Sequence, residues 1–436
     1  MSSGAWNNSA ATSAILTKST SLSHRVSPGS RIGYDKRMRR LLTVPALLCG
    51  VILATQFTFA QAPARIIAIG DIHGSIDGFK SILKVTGLAD ANGKWTGGRA
   101  QLIQTGDYVD RGEGTRAVLD LLMALEGQAK DAGGRAFALL GNHEVMNIIG
   151  ETRDVTREIY ATFADANSEK RRQSAWEDYA KLAENKKEKG EPVPSVYTQT
   201  KEAWLTTHPA GYVEYKDAFS PKGKYGQWLR GKPMVAEVAG NIFMHAGVNP
   251  ANPPVKLDDL NAQVRDEIRR LDQFLDKLID QKLATRDFSL AEILQVASSE
   301  IGLANARIAE AQAAGKELDR RKLNIPLLME AQEVLKIDTW LSINPEGALW
   351  YRGLSTVPDD PKGGPFAALL EKYGAKRFVT GHTPQQNRSI TVRFGGRAVL
   401  IDTGMLTSYY KGRASALEID GDKLTAYYED GKVTLP

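Results

Sequence analysis

The chain has 436 residues, 42% of them hydrophobic and 25% charged, with 40 glycines and 18 prolines. That composition excludes a disordered chain, a collagen-like repeat and a multi-span membrane protein, and the single cysteine, Cys49, excludes a disulfide framework and a thiolate metal cluster. The net charge of +5 does not mark a nucleic-acid surface, because residues 1–60 carry seven Lys/Arg against the one acid Asp35, which leaves 49 basic and 50 acidic residues, net −1, in the rest of the chain.

The first 60 residues read as an export leader. Arg37, Arg39 and Arg40 precede the uncharged run Leu41–Phe59, and small residues stand at Thr58 and Ala60. Charged, apolar and small-residue regions in that order make a secretory signal, with cleavage expected after Ala60. Met38 offers an alternative start, which would give the signal a conventional length. The competing reading is a single N-terminal membrane anchor, since the apolar run is long enough to span. The cleaved form predicts a periplasmic or secreted protein with no membrane attachment. The remainder, 61–436, is expected to form one domain, with insertions at about 150–235 and 255–340.

From residue 65 a pattern recurs. A short apolar run, strand-like in length, ends in glycine or a polar cluster. Arg65–Ile69 leads into Gly70-Asp71-Ile72-His73-Gly74, and Leu102–Thr105 into Gly106-Asp107-Tyr108-Val109-Asp110-Arg111-Gly112. Ala136–Leu140 leads into Gly141-Asn142-His143-Glu144, and Asn241–Met244 into His245-Ala246-Gly247-Val248. Arg377–Thr380 leads into Gly381-His382-Thr383-Pro384, and Ala398–Ile401 into Asp402-Thr403-Gly404. Such runs are buried strands, and α/β sheets bind ligands beyond the carboxyl ends of their strands. The pattern therefore places Asp71, His73, Asp107, Asn142, His143, His245 and His382 along one edge of a sheet. Any one cluster taken alone reads equally as a polar loop; it is the recurrence that points to a site. His24 and His208 fall outside the pattern and read as ordinary surface residues.

Between the clusters lie helices. Val118, Leu119, Leu121, Leu122 and Leu125 form one face over 115–130. The segment 150–235 is rich in aromatics, and its charged run Glu184–Glu191 reads as a solvated loop. Leu257, Leu260, Val264, Ile268, Leu271, Phe274 and Leu278 recur at helical spacing, which predicts core packing; a cap over the active edge is the alternative.

Two aspartates, several imidazoles and an amide oxygen, without thiolate, suit Mn, Fe, Zn or Co. Asp71, His73, Asp107, Asn142, His245 and His382 are too many donors for one four-coordinate ion, so two divalent ions sharing Asp107 are expected, with Mn the first choice over Fe or Zn. Two such ions can activate a water and clamp a phosphoryl group. His143 follows Asn142 directly and can face a leaving group as an acid, with Asp110 fixing its tautomer. Arg111 offers a fork matched to phosphate oxygens; Arg352, in Trp350-Tyr351-Arg352-Gly353, and Asn142 are further candidates for phosphate contact.

The Gly70–Gly74, Gly106–Gly112 and Gly141–Glu144 motifs, with the His245 and Gly381-His382 clusters in the same order, strongly resemble the calcineurin-like metallophosphoesterases, and within them the phosphoprotein phosphatase branch. Val145-Met146-Asn147 after Glu144, Trp350–Gly353 and Asp402-Thr403-Gly404-Met405 make the chain similar to the bacterial Shewanella-like protein phosphatases. The resemblance covers about 65–430. It departs from the eukaryotic Ser/Thr enzymes, which have Leu-Arg-Gly where Leu139-Leu140-Gly141 stands and a C-terminal Ser-Ala-Pro-Asn-Tyr segment that is absent here. The resemblance implies a four-layer α/β/β/α sandwich with helical insertions. It also implies one metal on Asp71, His73 and Asp107, a second on Asp107, Asn142, His245 and His382, and a phosphate clamp at Arg111 and Arg352. The expected activity is hydrolysis of phosphoprotein-type (Ser/Thr or Tyr) monoesters by direct attack of a metal-bound hydroxide. A nucleotide or dinucleoside polyphosphate hydrolase of the same superfamily, and a noncatalytic metal-binding protein, are the alternatives. The expected partner is thus a phosphorylated protein or peptide, or a small phosphoester, and not a nucleic acid.

Overall fold

Alternation along the short apolar runs decides the architecture. In β1 (Ile66–Ile69), Ile66 and Ala68 point one way and Ile67 and Ile69 the other, and all are buried. The computed structural model describes residues 65–320 and 323–436; the leader, its cleavage point and His24 lie outside the described residues. β1, β2 (Gln101–Gln104) and β3 (Arg135–Ala138) pair in parallel. After β4 (Val235–Val238), β5 (Asn241–Met244) and β6 (Arg377–Thr380) also run parallel. Past β7 (Thr391–Arg393), β8 (Ala398–Leu400) joins β6 in parallel. The chain closes with the antiparallel meander β9 (Ser415–Asp420), β10 (Lys423–Tyr428) and β11 (Gly431–Thr434).

These strands form two mixed sheets: one of six strands in the order β11-β10-β9-β1-β2-β3, the other of five in the order β4-β5-β6-β8-β7. Ile66, Ala68, Ile103, Phe243, Val379, Val399, Leu417 and Leu424 share one apolar cluster, which lies between the sheets. The alternate residues Ile67, Ile69, Leu102, Ile242 and Phe378 belong to a second cluster with helix residues such as Phe79, Val118 and Phe366. Helix, sheet, sheet, helix is the order of layers, and period-two alternation in the strands is what sorts them.

The predicted helix at 115–130 is present as Thr115–Asp131. The stripe from Leu257 lies on the helix Leu257–Asp280 and buries Leu260, Val264, Ile268, Leu271, Phe274 and Leu278, as core packing requires. Three expectations change. The strand-end donors do not sit on one sheet edge: Asp71, Asp107 and Asn142 follow strands of the six-stranded sheet, whereas His245 and His382 follow strands of the five-stranded one. Facing sheets with their parallel strands ending on a common side give six short loops one meeting point. The run Glu184–Glu191 is not a solvated loop throughout, because the helix Ser168–Glu188 takes in its first five residues. Ala175, Tyr179, Leu182 and Lys186 keep one buried face at spacings of four, three and four, and Lys186 is buried between Glu191 and Glu300. His208 is not at the surface either. It is buried with its ring stacked on Trp204 at 3.9 Å, and Nδ1 lies 2.8 Å from the Trp204 carbonyl. Among the described residues, no helix is long and apolar enough to cross a membrane.

Candidate metal centre

The loops after the strands turn unusually sharply. His73, Asp107, Asp110, Arg111 and His382 all have positive φ, between 46° and 68°. This region is unfavourable for residues bearing a Cβ, and strain of this kind is held in place by the surrounding structure. Glu144 supplies much of the restraint at β2. Its buried carboxylate accepts the N–H groups of Asp107 at 2.7 Å, Tyr108 at 2.8 Å, Val109 at 3.2 Å and Gly141 at 2.8 Å. Between the sheets the Asp71 carboxylate accepts the His382 N–H, at 2.9 Å to one oxygen and 3.2 Å to the other. Gly381 permits that approach, since a Cβ there would stand 2.2 Å from Asp71 Oδ1.

Backbone carbonyls set the imidazole tautomers. A carbonyl oxygen only accepts, so the ring nitrogen facing it carries the proton and the other nitrogen keeps a lone pair. His73 Nδ1 is 2.9 Å from Val109 O, His245 Nδ1 is 3.1 Å from Thr105 O, and His382 Nε2 is 3.0 Å from Trp350 O. The free lone pairs then converge. His245 Nε2 lies 2.9 Å from Asn142 Oδ1, 3.0 Å from His382 Nδ1 and 3.2 Å from Asp107 Oδ2. His73 Nε2 lies 3.6 Å from Asp107 Oδ2 and 4.0 Å from Asp71 Oδ2. Burial lowers the His73 pKa to about 3, against the pull of Asp107. Burial, together with the nearness of the His245 ring and the Arg352 charge, holds His382 well below the ordinary histidine value. Acceptors aimed at acceptors in a buried space repel one another unless a cation lies among them. The donor set is nitrogen and oxygen from histidine, carboxylate and amide, so these residues fit divalent ions of the Mn, Fe or Zn kind.

Beside this cluster is a different histidine. His143 Nδ1 is 2.6 Å from Asp110 Oδ2, and its Nε2 is 3.8 Å from Asp107 Oδ2. Burial disfavours its charge, but Asp107 and Asp110 outweigh burial and raise its pKa from 6.5 to about 9. Arg111 Nη1 reaches His73 Nε2 at 2.8 Å, with its guanidinium 5.2 and 5.4 Å from the rings of Tyr409 and Tyr410. Arg352 stands exposed at the rim and donates to the His382 carbonyl at 2.8 Å and to Thr383 Oγ1 at 3.0 Å. The residues singled out from the sequence (Asp71, His73, Asp107, Asp110, Arg111, Asn142, His143, His245 and His382) are thus brought together, with Arg352 at their edge.

Sequence reasoning assigned no role to several neighbours. Asp402 closes β8 beside Asp71; its Oδ2 is buried without a hydrogen-bond partner, and burial raises its pKa to about 6. Its place at a strand end, like that of Asp71, was the available signal. Asp154, with Oδ2 3.9 Å from His143 Nδ1, comes from a loop, and Tyr410, stacked on His73 at 5.6 Å, from the short helix Thr407–Tyr410; neither segment carries a motif.

The model of the calcineurin-like phosphoesterase family matches residues 64–292. The chain belongs to the calcineurin-like phosphoesterase family. Its curated relatives include an uncharacterised protein of Schizosaccharomyces pombe, 28% identical over 376 residues (85% of this chain and 82% of that one). Shewanella-like protein phosphatase 2 of Arabidopsis thaliana is 29% identical over 225 residues, 49% of this chain and 53% of that one. Shewanella-like protein phosphatase 1 of Plasmodium berghei is 24% identical over 368 residues, covering 83% of this chain and 73% of that one. Among solved structures, a cold-active protein-tyrosine phosphatase of a psychrophilic Shewanella species has the same fold, with a TM-score of 0.50 at 20% identity over 86% of this chain and 81% of that one. This calcineurin-like phosphoesterase therefore joins a phosphoesterase fold to a buried His/Asp cluster of metal-binding character.

Proposed function

We propose that the chain is a dinuclear-metal phosphomonoesterase acting on phosphoprotein-type esters. One observation carries the reading: an imidazole that Asp107 and the hydrogen bond to Asp110 favour in its protonated form lies beside a cluster of converging lone pairs. Asp71, His73 and Asp107 would hold one ion, and Asp107, Asn142, His245 and His382 the other. Ions held there supply Lewis acidity, easing deprotonation of water and offsetting phosphoryl charge.

The chain's own groups do the rest. Arg111 and, from the rim, Arg352 orient the phosphate by charge-assisted hydrogen bonds, and the Asn142 amide is placed to add a donor. Water, having given one proton to solvent, attacks phosphorus as the bond to the leaving oxygen breaks; His143 Nε2 gives its proton to that oxygen and regains one from solvent. Asp110 accepts the Nδ1 hydrogen throughout and keeps the ring aimed. No phosphoenzyme is formed.

Full-length protein loaded with Mn and offered a phosphotyrosine peptide, a phosphoserine peptide and a dinucleoside polyphosphate tests the reading. Phosphate release from a peptide is expected. Cleavage of the dinucleotide alone would replace the reading with a small-molecule hydrolase, and metal binding without any turnover would leave a noncatalytic metal protein. Export through the leader belongs to the same proposal. Sequencing the N-terminus of the mature protein from cell fractions should find Gln61 first and place the protein outside the cytoplasm; an intact leader in the membrane fraction would mean an anchor instead.

A further inference from the structure

His143 begins a chain of hydrogen bonds that leaves the site. Asn147 lies one helical turn after it on the helix Asn142–Ile148, hence on the same face. Its Nδ2 donates to Asp110 Oδ1 at 2.7 Å and to the His143 carbonyl at 2.9 Å. An ionised carboxylate only accepts, so the amide must present nitrogen to Asp110 and oxygen to the opposite side. There the Tyr215 hydroxyl donates to Asn147 Oδ1 at 2.5 Å. With the amide reversed, two oxygens would face each other at Asp110.

Tyr215 comes from a distant part of the chain, the helix Tyr212–Phe219. It is fully buried, and its ring is wedged against Tyr160 at 5.2 Å, Phe163 at 4.9 Å and Phe219 at 4.4 Å. The hydroxyl therefore has a fixed address. Burial and the Asp110 charge hold its pKa well above the ordinary tyrosine value, so it stays a donor. Tyr215 touches none of the converging donors, and the bland account is a buried tyrosine that has found a partner.

We propose that Tyr215 is a positioning residue for proton donation: its hydroxyl orients the Asn147 amide, the amide orients the Asp110 carboxylate, and the carboxylate aims the His143 ring. This rests on the reading above in which His143 is the acid. A cavity of about 50 Å³ borders both Asn147 and Tyr215 and can admit water. Loss of the hydroxyl should therefore misdirect the amide without leaving it unpaired, which predicts a partial effect.

The test compares two aryl phosphates of similar shape, phenyl phosphate and p-nitrophenyl phosphate, on Mn-loaded full-length protein. The phenolate leaves poorly and needs the proton; the nitrophenolate needs it little. Tyr215→Phe keeps the ring in its aromatic setting. It should lower kcat for phenyl phosphate roughly five- to tenfold, a fraction of the roughly 10²- to 10⁴-fold worth of a whole acid. The rate on p-nitrophenyl phosphate should change less than about twofold, and KM should hold for both. The ratio of the two kcat values is independent of the folded fraction, so partial misfolding does not blur it. Adding Tyr215→Phe to His143→Asn should change the ratio no further. Equal losses on both substrates, no loss on either, or a further change in the His143→Asn background would overturn the role of Tyr215. If His143→Asn itself left the ratio untouched, the acid assignment would fall first and Tyr215 with it.

Discussion

The strand-end cluster and the helices that flank it bury polar groups in opposite ways. In the flanking helices, several buried polar groups find partners of opposite kind. Lys186 Nζ sits 3.0 Å from Glu191 and 2.8 Å from Glu300, and Arg230 makes two bonds of 2.8 Å to Asp272. The hydroxyls of Tyr179, Tyr197 and Tyr212 each donate to a backbone carbonyl. At the strand ends the partners are of the same kind: His245 Nε2 faces Asn142 Oδ1, Asp107 Oδ2 and His382 Nδ1, each an acceptor. The pairs among the helices satisfy one another and serve stability. The strand-end cluster has the character of a cation site, because its buried acceptors find no donors among themselves.

The sharpest way to break this contrast is Asp107→Asn. Asp107, proposed above as the carboxylate shared by two ions, lies close to both His73 and His245, so kcat should fall by about 10³-fold or more, and metal analysis should show ions lost. His143→Asn should come next. Turnover of poor leaving groups should drop roughly 10²- to 10⁴-fold, while metal content stays near that of the parent. Loss of metal here would show that His143 belongs with the ligands.

Smaller effects should come from the helical side. Lys186→Met strands Glu191 and Glu300 without their shared cation. Because both carboxylates are part-exposed, the expected cost is about 1–3 kcal/mol by denaturant unfolding, with kcat changed less than about twofold. A change in kcat comparable to the stability loss would erase the distinction between the regions. Smallest is a pH effect at Lys216, whose Nζ donates to the Phe288 carbonyl and whose pKa burial lowers to about 8. In the unfolded chain that lysine titrates near 10.4. Below pH 8 both states carry its charge and the folded protein bears the burial cost. Between about 8 and 10 the folded state sheds the proton first, so stability rises. The melting temperature of the parent minus that of Lys216→Met should therefore grow over that interval; a flat or falling difference would mean Lys216 keeps its charge in the fold.

Much of the site was legible because its donors stand in contiguous motifs at the ends of apolar runs. Gly70–Gly74 and Gly106–Gly112 carry both the turn and the chemistry, so reading one reads the other. The split of the donors between two sheets was not legible in the runs, since a buried parallel strand looks alike in either sheet; only the fold shows it. Lys186 and His208 were misread for a common reason. Each is polar in a polar neighbourhood, and its burial depends on partners (Glu300 for one, Trp204 and Tyr212 for the other) that local composition does not reveal. Tyr215 was invisible as a functional candidate because its link to His143 runs through three bonds and a helix with no motif. Glu144 stood in plain view, but that it gathers four backbone N–H groups is a matter of three dimensions.

The bond from the His382 amide to the Asp71 carboxylate joins positions 311 residues apart. Its consequence is temporal. A ribosome that has delivered Asp71, Asp107 and His143 has made every motif of the first sheet and still no centre, because the imidazoles of the second sheet are yet to emerge. Closure of so long a loop comes late in folding. On the function proposed above, the growing polypeptide stays silent until position 382 has emerged, and a message truncated before codon 382 should yield a product without the full donor set.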